Sequence, residues 1–262
     1  MPIPKEHGAW AVLYASFLSG AASVGRFEVE ILIFWVVVTA FFLARHPLSR
    51  LARLRAVGPI DADKFNYWMY WFVIYLGVGL AATVPLLFYY QLGYLIPIGS
   101  AAVLVLLAHL YMSGKRAERR LLGEFLGVFG LTLTAPGAYY VMQGRLDDVS
   151  FLLWFWNLLY FTSGIFYVKM RVGCFAGKPD AHLLLWQCAL YHLLLLCLMI
   201  TWVWWGWVSK LFLLAFLPIV VRAFAGMLIR RKGLNLRRIG YTEIGFTVIF
   251  VVSLVLAYSR SS

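Results

Sequence analysis

Apolar runs recur from one end of the chain to the other, at about 9–25, 29–44, 66–92, 94–112, 121–142, 150–169, 182–204, 208–229 and 241–258. A helix needs roughly 20 apolar residues to cross a hydrocarbon layer of about 30 Å, and these runs reach that length or come near it. Hydrocarbon offers peptide groups no water, so such runs are stable as helices that close their backbone bonds internally. The expected fold is an all-α polytopic membrane protein with about nine transmembrane helices, residues 1–262 forming a single transmembrane domain. The shorter runs require interfacial side chains at their ends or a locally thinner bilayer. Composition excludes the main alternative. Only 13% of the residues are charged and 63% are hydrophobic, whereas a soluble domain carries about 25% charged residues.

The formal net charge is +12, which raises nucleic acid as a partner until the charges are placed. Arg45, Arg50, Arg53, Arg55 and Lys64 follow the second run, and Lys115, Arg116, Arg119 and Arg120 follow the fourth. Lys169, Arg171 and Lys178 follow the sixth, and Arg230, Arg231, Lys232, Arg237 and Arg238 the eighth. The alternate connections hold only Arg26, none, Arg145 and Lys210. Short loops rich in Lys and Arg stay on the cytoplasmic side. The chain is thus expected in a bacterial cytoplasmic (inner) membrane, N-terminus inside and C-terminus outside, with no nucleic-acid partner. The start MPIPKEHGAW lacks the features of a cleavable signal, so the first helix is expected to be retained. The longest polar stretch, roughly 45–65, is too short for a second domain. Cys174, Cys188 and Cys197 have neither the number nor the spacing of a disulfide or metal framework and read as small hydrophobes.

Some polar groups are not explained by topology. Glu124 stands just inside the fifth run, where a carboxylate must be paired or face a cavity. It is a candidate proton carrier, or else the ion-pair partner of Arg120, four residues earlier on the same face. Glu243 has Arg237 and Arg238 to hold it at the interface in the same way. In the sixth run Asn157, Tyr160, Gly164, Tyr167 and Arg171 recur at steps of three or four and share one helix face. That strip lines a cavity, or it hydrogen-bonds a neighbouring helix. At the basic ends, Arg45-His46-Pro47-Leu48-Ser49-Arg50 and the stretch Arg230 to Arg238 carry guanidinium forks suited to phosphate or carboxylate. Pro47 is expected to stop or bend its helix there. His7 and Gly8 mark the entry to the first helix, where a histidine can exchange protons near neutral pH. His109, His182 and His192 show no ligand spacing, and no metal is expected. Gly123 and Gly127 form a small-xxx-small pair that lets backbones approach, and Pro136-Gly137 interrupts the fifth run.

At His7-Gly8-Ala9-Trp10, Arg45-His46-Pro47 and Phe166-Tyr167-Val168-Lys169-Met170-Arg171, the chain resembles the YwiC-like family of bacterial integral membrane proteins. More distantly, the stretch from Lys115 through Pro136-Gly137 and the tail from Leu234 to Gly240 look like the UbiA superfamily of intramembrane prenyltransferases. That second resemblance implies a UbiA-like helical bundle. It also implies two aspartate-rich motifs, at the ends of the second and sixth helices, that hold magnesium and an isoprenoid diphosphate. This chain departs from both motifs. It has Arg45 and His46 at one and Lys169 at the other, with Asp61 and Asp63 displaced along the first loop.

Carboxylates hold magnesium, whereas arginine contacts an anionic oxygen directly. The expected function is therefore a membrane-embedded, transferase-like protein binding an anionic amphipathic lipid or isoprenoid-like molecule in a cytoplasm-facing cavity. In that reading Arg45, Arg50, Lys169, Arg171 and Arg237 neutralise the anion, Asn157 and Tyr167 orient it, and Glu124 or His7 moves a proton. Two alternatives stand beside it. One is a transporter or permease for a small anion or lipid, the other a noncatalytic lipid, haem or quinone binding protein. No cofactor is specified by the residues.

Overall fold

The computed structural model describes residues 2–4, 6–56, 61–114, 121–228 and 236–258, apart from the side chains of 55–56, 113–114 and 236–238. Among these residues the chain forms ten helices. They are α1 (His7–Ala22), α2 (Glu30–Ala56), α3 (Ala62–Phe88), α4 (Leu95–Gly114), α5 (Leu121–Thr132), α6 (Thr134–Gln143), α7 (Asp148–Phe175), α8 (Ala181–Trp204), α9 (Leu211–Leu228) and α10 (Leu236–Tyr258). Helices α5 and α6 are the two halves of one span, so the expected nine apolar runs are all helical. Among the described residues, eight spans are long and apolar enough to cross a membrane. The exception is α1, whose 16 residues reach only about 24 Å. It packs against α5, α6, α7 and α10, so much of its surface meets protein rather than lipid.

The break within the fifth run has a local cause. Pro136 has no N–H to give the Thr132 carbonyl, and α5 ends at that residue. Gly137 N–H then bonds Leu133 O at 3.3 Å, and the Thr134 hydroxyl, with one proton to give, lies 2.8 Å from Leu131 O and 3.1 Å from Leu13 O of α1. The crossing of α1 and α6 is tight: a Cβ on Gly20 would lie 2.1 Å from the Ala135 carbonyl oxygen. Here a missing side chain lets backbones meet, which the Gly127 member of the expected Gly123/Gly127 pair does not do. A Cβ on Gly127 would meet nothing within 4 Å.

Pro47, expected to stop or bend its helix, does not stop it. Helix α2 continues through it to Ala56, because proline removes one donor while the residues on both sides still favour helix. Arg45, His46 and Arg50 therefore sit on continuous helix beside α3, with which α2 forms a long hairpin.

At the opposite end Asp147 caps α7, accepting from Val149 N and Ser150 N at 3.1 and 3.2 Å, and receives the Tyr139 hydroxyl at 3.0 Å. Gly144, with φ of 76°, makes the left-handed turn that leads into it. The deepest packing joins α7, α8, α9 and α10 around the fully buried Trp156, Phe216 and Phe250. A second cluster joins α1, α2 and α6. Within a bilayer such contacts act through close packing rather than through escape from water.

Candidate functional site

The start of α1, the later turns of α2 and the start of α3 meet at one end of the bundle. Pro2 and Pro4 are buried there, held by the Tyr75 hydroxyl on Pro2 O at 3.3 Å and by Trp10 Nε1 on Pro4 O at 3.2 Å. Glu6, just before α1, pairs with Arg45 of α2. This tether leaves an open recess of about 670 Å³ lined by Pro2, Ile3, Pro4, His7, His46, Arg50, Tyr67 and Trp68. Arg50 lies over the Trp68 ring at 5.7 Å, and His46 meets the same ring edge-on at 5.5 Å. A cation with two imidazoles and an aromatic wall suits an anionic head group whose apolar part continues along the helices.

A second polar group is enclosed by α7, α9 and α10. The Arg222 side chain is only 8% exposed and pairs through Nη1 with Glu243. The Tyr167 ring lies 4.2 Å from the centre of the Arg222 guanidinium. One turn away, the buried Arg171 donates from Nη1 to Gly226 O at 3.2 Å. Deeper in, the Tyr160 hydroxyl reaches Thr247 at 3.5 Å while its ring stacks on Phe250 at 3.9 Å. His192, fully buried on α8, meets Ser163 at 2.9 Å through Nε2 and Cys188 O at 2.7 Å through Nδ1.

The residues singled out from sequence fall in different neighbourhoods. His7, Arg45 and Arg50 adjoin or line the recess. Glu124 and Lys169, given separate roles above, are each other's partners across α5 and α7 at 3.1 Å; Arg120, the partner considered first, lies outside the described residues. Asn157, Tyr167 and Arg171 of the strip meet neighbouring helices, while Gly164 has open space beside it. Asn157 donates to Ser19 Oγ of α1 at 2.8 Å and to Leu153 O at 2.7 Å, while Tyr167 and Arg171 pack against α9. The partner of Glu243 is Arg222, on a different helix from the arginines expected for it. The side chains of Arg237 and Arg238, and residues 230–235, lie outside the described residues.

Arg222 itself was missed. Its signal was present: an arginine seven residues before the end of the 208–229 apolar run is too deep for loop charge bias to explain. His192 was missed for want of a second histidine, its partners being a serine and a backbone carbonyl.

Magnesium does not fit the ends of α2 and α7, which present Arg45, His46, Arg50, Lys169 and Arg171. Asp61 is engaged elsewhere, as the cap of α3. It accepts from Lys64 N at 3.1 Å and pairs with Lys64 Nζ at 2.9 Å, contacts that hold its carboxyl below the usual carboxylate range. Among the described residues no three His, Cys, Asp or Glu side chains converge in the manner of a metal site.

These features define an all-α, multi-pass membrane protein with buried charge in its helical interior. Residues 3–139 match the family model for YwiC-like proteins, and the chain belongs to that family. Over 269 residues it is 25% identical to the uncharacterized protein YwiC of Bacillus subtilis (strain 168), the alignment covering 98% of each chain. An uncharacterized protein of Haemophilus influenzae (strain ATCC 51907 / DSM 11121 / KW20 / Rd) is 23% identical over 260 residues, covering 97% of this chain and 98% of that one. No solved structure matches.

Proposed function

We propose that this protein binds the anionic head of an amphipathic lipid or isoprenoid-like molecule in the recess between the starts of α1 and α3 and the basic turns of α2. The observation that carries the reading is the recess wall, where Arg50, His7 and His46 stand beside Tyr67 and Trp68. Arg50 contacts the anion, Arg45 shares its charge between the anion and Glu6, and His7 is the group free to move a proton. Lys169 and Arg171 add positive potential from α7 rather than contacting the head directly, and Arg237, at the start of α10, adds its charge to theirs. Glu124 holds Lys169, and Asn157 and Tyr167 keep the helices in register. The family match supports the reading in one respect, since residues 3–139 include every recess residue except Pro2.

The transferase component rests on the likeness to intramembrane prenyltransferases and their helical bundle. Arginine here takes the place of a metal-bound diphosphate contact. One observation favours transport instead: a span broken at Leu133 together with charges enclosed among α7, α9 and α10.

The recess is tested by purifying the full chain in mild detergent and identifying retained lipids by native mass spectrometry. The wild type is expected to carry one anionic amphiphile that Arg50→Gln loses at least tenfold. Identical lipid profiles in the two proteins refute the recess as a binding site. Anion flux through reconstituted vesicles that Arg222→Lys abolishes and Arg50→Gln does not would favour transport.

A further inference from the structure

Arginine in a helical interior needs its five N–H donors satisfied, because each unmet donor costs about 1–3 kcal/mol. Arg222 spends Nη1 on Glu243. Its Nε and Nη2 are buried and have no hydrogen-bond partner among the described residues. Those two atoms form one edge of the guanidinium, the edge whose parallel N–H bonds match two oxygens of a carboxylate or phosphate. Glu243 meets Arg222 through Nη1 alone, and the remaining buried donors are stable only when their hydrogen bonds are met.

We propose that the Nε/Nη2 edge of Arg222 is an interior binding site for an oxyanion, a carboxylate or phosphate group held bidentately beside the Tyr167 ring. Arg222 lies six residues before Leu228, about 9 Å along α9 from its end. That depth is within reach of a lipid head group drawn down between helices, and also of a free anion entering from the basic end. The Tyr167 and Phe246 rings lie 4.2 and 5.7 Å from the guanidinium centre, so aromatic rings support the cation while its hydrogen-bonding edge takes the anion. A Cβ on Gly226 would lie 2.6 Å from that tyrosine ring, so a glycine on α9 is what seats the ring there. The site is separate from the recess at Arg50.

Binding is measured on full-length protein in phosphatidylcholine nanodiscs, in an Arg50→Gln background so that the recess does not contribute. The probes are radiolabelled inorganic phosphate and, separately, phosphatidic acid doped into the disc and read by native mass spectrometry. One of the two is expected to bind at one per chain, and which one binds identifies the source as a free anion or a lipid head. Arg222→Lys keeps the charge but loses the two-donor edge, and is expected to weaken binding at least tenfold. Glu243→Gln removes the competing carboxylate and is expected to tighten binding severalfold, an effect that a purely structural ion pair does not produce. Gel filtration checks that each variant is folded. If neither probe binds, or if both variants bind as the parent does, water alone meets these donors and the proposal is overturned.

Discussion

Charge within a helical interior is governed by what each single side chain finds. Arg222 finds Glu243 and the Tyr167 ring, Lys169 finds Glu124, and Asn157 finds Ser19. Breaking a buried pair by removing one member leaves an uncompensated charge and costs about 3–5 kcal/mol, whereas replacing both with apolar groups of similar size is often nearly neutral. Arg222→Met is therefore expected to destabilise the protein far more than the double variant Arg222→Met/Glu243→Leu. Reversible unfolding in bicelles measures both; equal losses would mean that the two residues are not energetically coupled. These partners were only partly legible in the sequence. The strip from Asn157 to Arg171 follows from helical periodicity alone, because side chains three and four apart share a face. Which helix that face meets does not follow, since periodicity carries no information about the rotation of a neighbour.

At the level of elements, the spans were read from apolar length and their positions proved close, with α2 the main exception. Its apolar run ends near residue 44, but its backbone remains helical to Ala56. Hydropathy reports where lipid ends, and hydrogen bonding decides where a helix ends. The crossing of α1 and α6 depends on the absence of one side chain. Gly20→Ala places a methyl carbon against the Ala135 carbonyl, which nothing flexible can relieve. A loss of about 1–3 kcal/mol is expected, in the range of overpacked cores. Gly127→Ala, with open space around it, is expected to be tolerated. Thermal unfolding in detergent compares them, and equal melting temperatures would refute the tight α1–α6 contact.

For the whole molecule, the even spacing of basic connections makes a prediction about orientation. The ends joining α2 to α3, α4 to α5, α7 to α8 and α9 to α10 hold most of the Lys and Arg and are expected in the cytoplasm. Single cysteines placed at Lys210 or Arg145 of a cysteine-free protein should react with an impermeant maleimide in intact cells, and one placed at Lys64 only after lysis. The reverse pattern would invert the topology and put the recess outside. Length, apolar content and charge spacing determined by themselves that this chain lives in a bilayer as a bundle of about nine spans. Those properties are sums along the chain, and the surrounding solvent acts on each segment separately. Only the tertiary structure decided that Arg222 faces Glu243, that Glu124 neutralises Lys169, and that Glu6 ties the chain start across the recess. Such pairings depend on how helices rotate and tilt against one another, and in lipid those angles are set by close packing, which no single segment encodes.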